Sequence, residues 1–157
     1  MQIDLHEYQC FGSYWNQLAE RPEGWSAHLG AACAHGNDVE NIYHDSVTGE
    51  FSLAVSECQK YLNGGYMDPY SPPDAKPSTC EYYNSNFETF SAEYKEFLSN
   101  FFLAQIDGYE KGESGVGWYF WTAKTENNCA PEWDFLFLVQ NGIVPSDLCS
   151  RKTYCNY

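Results

Sequence analysis

Apolar positions along this chain change their spacing several times, and each change predicts an element. Gln2 to Cys10 alternates, with Ile3 and Leu5 on one side, and reads as a short strand. Glu23 to Ala34 carries Trp25, Leu29, Ala32 and Cys33 at helical spacing; Pro22 suits its first turn and Gly36 is expected to stop it. Asn41 to Phe51, with Ile42, Tyr43 and Val47, predicts a second strand. Leu53 to Leu62 predicts a short helix stopped by Asn63-Gly64-Gly65, and the four prolines between Met67 and Pro77 make that stretch a loop. The clearest helical pattern runs from Ser91 to Lys111, where Phe90, Tyr94, Phe97, Leu98, Phe101, Ile106 and Tyr109 recur at steps of three and four. Ser91 can cap this helix and Gly112 can end it. Gly117 to Thr122 is continuously apolar, as in a strand covered on both faces. Asp134 to Gln140 predicts a last short helix, closed by Asn141-Gly142.

Strand and helix therefore alternate three times, which predicts an α/β fold with parallel strands and right-handed crossovers. Three such units fall short of a closed eight-stranded barrel, which takes about 250 residues. A free parallel sheet of three strands would leave long bare edges. No internal repeat of solenoid period is present.

Composition narrows the function. The 157 residues hold 8 Lys and Arg against 22 Asp and Glu, a formal charge of -14. Such a surface argues against nucleic acid and against an anionic membrane, since both are bound through cations. No apolar run approaches the roughly 18 residues that would span a bilayer. Aromatic residues reach 18%, which suits either a packed core or a surface on which sugar rings stack. The seven cysteines are scattered with no Cys-x-x-Cys pair, so they predict disulfides and an oxidising compartment, not a zinc site. The opening Met1-Gln2-Ile3-Asp4-Leu5-His6 is no signal peptide, so the expectation is a secreted protein whose true N-terminus lies upstream.

Candidate chemistry sits at strand ends. Glu50 follows Gly49 at the end of the second strand, the place where barrel enzymes keep catalytic groups. His6 and Tyr8 share one face of the first strand by its two-residue period. Each of these has an ordinary structural reading when taken alone: a solvated strand-end carboxylate, a hydrogen-bonded imidazole, a core phenol. Trp118 and Trp121 read as core, as a sugar platform, or as one of each.

Taken in order, the motifs are specific. His6-Glu7-Tyr8-Gln9-Cys10-Phe11, Gly49-Glu50-Phe51-Ser52 and Glu57-Cys58-Gln59-Lys60-Tyr61-Leu62-Asn63-Gly64 resemble the secreted fungal exo-β-1,3-glucanases of glycoside hydrolase family 5. So do Gly117-Trp118-Tyr119-Phe120-Trp121-Thr122-Ala123-Lys124-Thr125-Glu126 and the following Ala130-Pro131-Glu132-Trp133. The resemblance covers nearly the whole chain. It implies that residues 1–157 are one partial barrel domain: the C-terminal portion, strands six to eight with their helices, of a (β/α)8 barrel. It implies release of glucose from the end of a β-1,3-glucan with retention of configuration, without a cofactor, outside the cell or in its wall. By position Glu50 matches the nucleophile, with His6 and Tyr8 beside it. Trp121 matches the platform under the sugar, Phe11 an aromatic clamp at the entrance, and Asn63 a residue near the closed end of the pocket.

The sequence also departs from the family. Phe51 stands where Trp usually follows the catalytic Glu and is expected to keep an aromatic face there; Ala123 stands where Trp usually recurs. Two extra residues, Cys129 among them, interrupt the run before Ala130. The family's acid/base Glu, which follows an Asn at the end of strand four, has no counterpart here. The expected chain by itself is therefore inactive, and the alternative to an enzyme is a secreted glucan-binding remnant. The resemblance further implies a bridge from Cys33 to Cys155, whose distance matches better than that of Cys149. Cys58 and Cys80, on either side of the Pro-rich loop, are expected to pair. Cys129 and Cys149 are expected to form a third bridge, leaving Cys10 as the odd thiol.

Overall fold

Alternating Ile3 and Leu5 build strand β1, Ile3–Glu7, and a second short strand, β2, spans Ser46–Phe51. Strand β3, Gly115–Phe120, completes a parallel sheet in the order β1-β2-β3, in a computed structural model that describes residues 1–12, 22–59, 62 and 86–157. Helix α1, Pro22–Glu40, connects β1 to β2, helix α2, Ala92–Tyr109, precedes β3, and the short helix α3, Phe135–Gln140, follows it. Cys58 is disulfide-bonded; Cys80, its expected partner, and the loop predicted at 67–77 lie outside the described residues.

The α2 boundaries follow from its ends. The Ser91 side chain accepts the Tyr94 N–H, which satisfies one of the free donors of the first turn. Gly112, at φ +70°, turns the chain away after the last residues of the helix. Its apolar face packs on α1 and on the sheet. Trp25 of α1 lies 5.1 Å from Phe97 in stacked geometry, and Phe97 stacks in turn on Phe101 at 5.5 Å. Phe51 is enclosed by Phe102, Tyr109, Trp118 and Phe120, with ring centroids 5.0 to 6.3 Å away.

Gly36 does not stop α1. It lies inside the helix, which continues to Glu40, and it is buried against α2. A Cβ on Gly36 would stand 3.1 Å from the Gly108 Cα, and one on Gly108 would stand 2.6 Å from the Ala32 carbonyl oxygen. The two glycines let the helix backbones meet, so the absent side chains serve packing.

Three other predicted elements differ. Residues 53–59 form no helix, although 53 to 58 are buried. Their polar groups turn elsewhere: the Leu53 N–H donates to the Glu132 carbonyl at 3.0 Å, and the Ala54 N–H to the Ser52 hydroxyl at 3.2 Å. Residues 41–45 stay outside β2, because the N–H groups of Asn41 and Ile42 close the end of α1 on Asp38 and Val39. Strand β3 is not covered on both faces: Val116 and Tyr119 are exposed at 51% and 68%.

The cysteines are partly as expected. Cys33 and Cys155 are bridged, with Cα atoms 5.5 Å apart and a sequence separation of 122. Asp107 holds that terminal segment by accepting the N–H groups of Tyr154 and Cys155. Cys10 is a free buried thiol. The expected Cys129–Cys149 bridge is absent: both thiols are free and exposed. They stand in separate turns, Cys129 at the end of the short 3-10 helix Glu126–Asn128 and Cys149 at an Asp147-capped turn.

Two buried titratable groups set a pH dependence. Burial lowers His28 from about 6.5 to about 4. Burial raises Glu132 from about 4.5 to about 8, against the smaller opposing effect of the Tyr94 hydroxyl that donates to it. Unfolded His28 takes up a proton below 6.5 that the folded protein refuses until about 4, so stability falls as pH drops from 6.5 to about 4. Unfolded Glu132 releases its proton near 4.5 and folded Glu132 near 8, so stability falls as pH rises between those values. The two slopes oppose one another between 4.5 and 6.5. Melting temperature should therefore be nearly flat there and decline on both sides, with about 2 kcal/mol of stability lost between 6.5 and 8 and under about 1 kcal/mol between 4.5 and 4. Glu132→Gln, which still accepts from Tyr94, should abolish the alkaline arm and leave the acid arm; an unchanged alkaline arm in thermal melts would refute the assignment.

Candidate active site

Parallel strands point their C-terminal ends in one direction, and all three strands deliver a candidate residue there. His6 lies near the end of β1 and Tyr8 just beyond it. Glu50 is the penultimate residue of β2, and Trp121 follows β3 directly.

A register shift brings the first two strands into position. Leu5 pairs with Thr48, but His6 pairs with Glu50, so β2 carries one extra residue, Gly49. Such a bulge re-aims the side chains beside it. The Tyr8 hydroxyl donates to Glu50 Oε2 at 2.7 Å, and His6 Nδ1 lies 3.5 Å from the same oxygen. No hydrogen bond from a described residue reaches Oε1.

Tyr8 is held on both sides. Its ring lies edge-on to Phe11 at 5.6 Å and tilted on the nearly buried Trp133 at 5.5 Å. Burial, and then the bond to the Glu50 carboxylate, push its phenol well above the ordinary value near 10. Tyr8 thus keeps its proton and remains a donor to Glu50 at any ordinary pH. The Cys10 thiol is also pushed up, first by burial and then by Glu57 and Glu132, which leaves it protonated and a poor nucleophile.

Trp121 is 52% exposed, and its backbone N–H donates to the Phe51 carbonyl at 2.7 Å, which ties its main chain to the residue after Glu50. The Trp121–Thr122 peptide is cis, and the Thr122 N–H donates to the Trp133 carbonyl at 2.7 Å. One backbone junction therefore joins the exposed Trp121 to the buried ring that supports Tyr8. Phe11 is 41% exposed beside Tyr8. Asn63 lies outside the described residues.

Phe51 offers no aromatic face at this end of the sheet. It is fully buried on the helix side, while its neighbour Glu50 faces the opposite way. Ala123, two residues beyond Trp121, is exposed. Trp133 entered the sequence reading only inside a motif; the signal available for its role was that motif's place after β3. Among the described residues no group of three His, Cys, Asp or Glu side chains could hold a metal ion. No helix among them is long and apolar enough to cross a membrane.

No family model matches the chain. It is 35% identical over 158 residues to a glucan 1,3-beta-glucosidase of Lachancea kluyveri, covering 96% of this chain and 34% of that protein. A glucan 1,3-beta-glucosidase of Yarrowia lipolytica is 34% identical over 154 residues, with the same coverage. A probable glucan 1,3-beta-glucosidase A of Neosartorya fischeri is 33% identical over 155 residues, 96% of this chain and 35% of the relative. The chain spans about a third of the length of these curated relatives.

Proposed function

We propose that this chain, a relative of the glucan 1,3-beta-glucosidases along almost all its length, supplies the nucleophile side of a retaining β-1,3-glucosidase site. The observation that carries this reading is the Tyr8–Glu50 bond at the C-terminal edge of the sheet, with His6 on the same carboxylate oxygen. Oε2 is engaged and Oε1 is the atom left to attack the anomeric carbon. The attack forms a glycosyl ester on Glu50 while the aglycone leaves with a proton from a second carboxyl group. Water, deprotonated by that same group, then releases glucose with its configuration retained. Retaining enzymes keep the two carboxyls about 5 to 5.5 Å apart. We assign the second one to a residue outside these 157, in a (β/α)8 barrel of which β1, β2 and β3 are strands six, seven and eight. The 157-residue chain alone then gives no turnover. Trp121 stacks under the sugar at the cleavage point, Phe11 clamps the departing unit, and Asn63 lies toward the closed end. The substrate class, together with the bridges at Cys33 and Cys58, fits secretion or a cell-wall location.

The test is a chimera in which this chain replaces the matching third of the Lachancea kluyveri relative, assayed on laminarin and an aryl β-glucoside. Hydrolysis by the chimera and none by the isolated chain is expected. A chimera that binds laminarin but hydrolyses neither substrate would replace this reading with the glucan-binding one.

Trp121→Ala in the chimera should raise KM roughly three- to tenfold with a smaller change in kcat, because it removes a stacking face worth about 1 kcal/mol and no reacting group. Steady-state kinetics on the aryl glucoside separates the two parameters. An unchanged KM would remove Trp121 from the site.

A further inference from the structure

We infer that Asp4 and Gly49 together position the imidazole of His6 against Glu50. The inference deepens the reading of Glu50 given above and rests on it only for its functional meaning.

Asp4 and His6 sit two residues apart on β1 and so share a face. Asp4 Oδ2 lies 3.3 Å from His6 Nε2, and the other ring nitrogen, Nδ1, lies 3.5 Å from Glu50 Oε2. The ring is strung between two carboxylates on neighbouring strands. His6 is half exposed, so neighbouring packing alone does not hold its orientation. A tether at Nε2 does: with that nitrogen donating to Asp4, Nδ1 is the atom turned toward Glu50.

What places Asp4 is the missing side chain of Gly49. The extra residue of the bulge stands opposite the Asp4 carboxylate, and a Cβ there would lie 2.1 Å from Asp4 Oδ1 and 2.9 Å from Cγ. Gly49 has no positive φ, so its backbone does not demand glycine. What glycine leaves is room: the exposed Asp4 carboxylate occupies the volume a Cβ would fill, and a larger residue there would turn that carboxylate aside. The bulge thus does two things at one position. It turns Glu50 toward Tyr8 and His6, and it opens a slot from which Asp4 reaches back to the same imidazole.

Asp4 is a positioning residue in this scheme, since it acts through His6 and touches no substrate. It also sets which nitrogen carries the proton of the neutral ring. Tyr8 then remains the constant donor to Glu50, and Nδ1 of His6 adds a second donor only in the cationic ring.

The test is imidazole NMR on the 157-residue chain, uniformly labelled with nitrogen-15, at a pH where the His6 ring is neutral and with its signals assigned through His6→Asn. The wild-type ring should carry its proton on Nε2. In Asp4→Ala, Glu50 is the remaining carboxylate and the proton should move to Nδ1 in most molecules. Asp4→Asn keeps an acceptor oxygen and should retain the wild-type tautomer, which separates a lost tether from a disturbed fold. Gly49→Ala, with Asp4 intact, should reproduce the Asp4→Ala spectrum. A proton on Nδ1 in the wild type, or one that stays on Nε2 in both Asp4→Ala and Gly49→Ala, would overturn the assignment. The readout involves no turnover, so an inactive chimera and an unmoved proton refute different statements.

Discussion

Glu50→Gln in the chimeric enzyme should lower hydrolysis of the aryl β-glucoside by roughly 10⁴-fold or more while laminarin binding changes little. The amide has the size of the acid and can still accept the Tyr8 hydroxyl, so the geometry around Oε2 survives. What is lost is the anionic oxygen. An amide oxygen is a poor nucleophile, and the developing oxocarbenium ion loses the negative charge that faces it. In the proposed reading binding rests on the exposed rings of Trp121 and Phe11, which the substitution leaves in place. A fluorinated glucoside that traps the covalent intermediate should label Glu50 and no other residue, read by peptide mass spectrometry. Label on a different carboxylate, or full activity in Glu50→Gln, would move the nucleophile elsewhere.

Phe51→Ala should cost roughly 3 to 5 kcal/mol of stability, the range for emptying a large buried aromatic site. Phe51 has no exposed surface and meets four other rings, two from α2 and two from β3. None of these can collapse into the space easily, because each is fixed by its own element. Its carbonyl also anchors Trp121, and the next carbonyl, Ser52, accepts the Gln105 amide at 3.1 Å. Gln105 is held in turn by the Tyr109 hydroxyl at 3.0 Å. Loosening this point should therefore broaden the Trp121 environment as well, visible in its fluorescence. Chemical denaturation of wild type and variant gives the energy difference. A loss under about 1 kcal/mol would mean that the site is far looser than its packing indicates.

Glu50 and Phe51 also show what the sequence discloses and what it withholds. Their adjacency was legible, and so was the carboxylate's place at a strand end. That Phe51 points into the core was not, because the departure from Trp sits in a motif associated with the site. The long helix was readable from Ser91 to its last turn because cap, period and terminal glycine agree. Gly36 reads as a stop in the sequence because a helix that ends and a helix that is crossed both call for glycine. The fact that decides it, Gly108, lies on another element. The segment after Phe51 carries helical spacing, yet its N–H groups are taken by Glu132 and Ser52, and only the first of these is remote in sequence. Tyr8 and Glu50 were placed together through ordered motifs, and the 2.7 Å bond gives that pairing a geometry. Asp4 stayed unread because half of its environment is a side chain that Gly49 does not have.

The Cys33–Cys155 bridge closes a covalent ring of chain that contains β2, β3, α2 and α3, and with them Glu50 and Trp121; His6 and Tyr8 stand on the tail outside it. A protease that cuts one peptide bond anywhere inside the ring releases nothing. It turns a loop into two arms that remain one molecule until a reductant separates them. Single nicks of this kind are silent in mass by sedimentation and in a gel run without reductant, and show as two bands only after reduction. In a protease-rich medium the carboxylate and the ring that would stack on its sugar are thus tied together by two routes, the backbone and the sulfur.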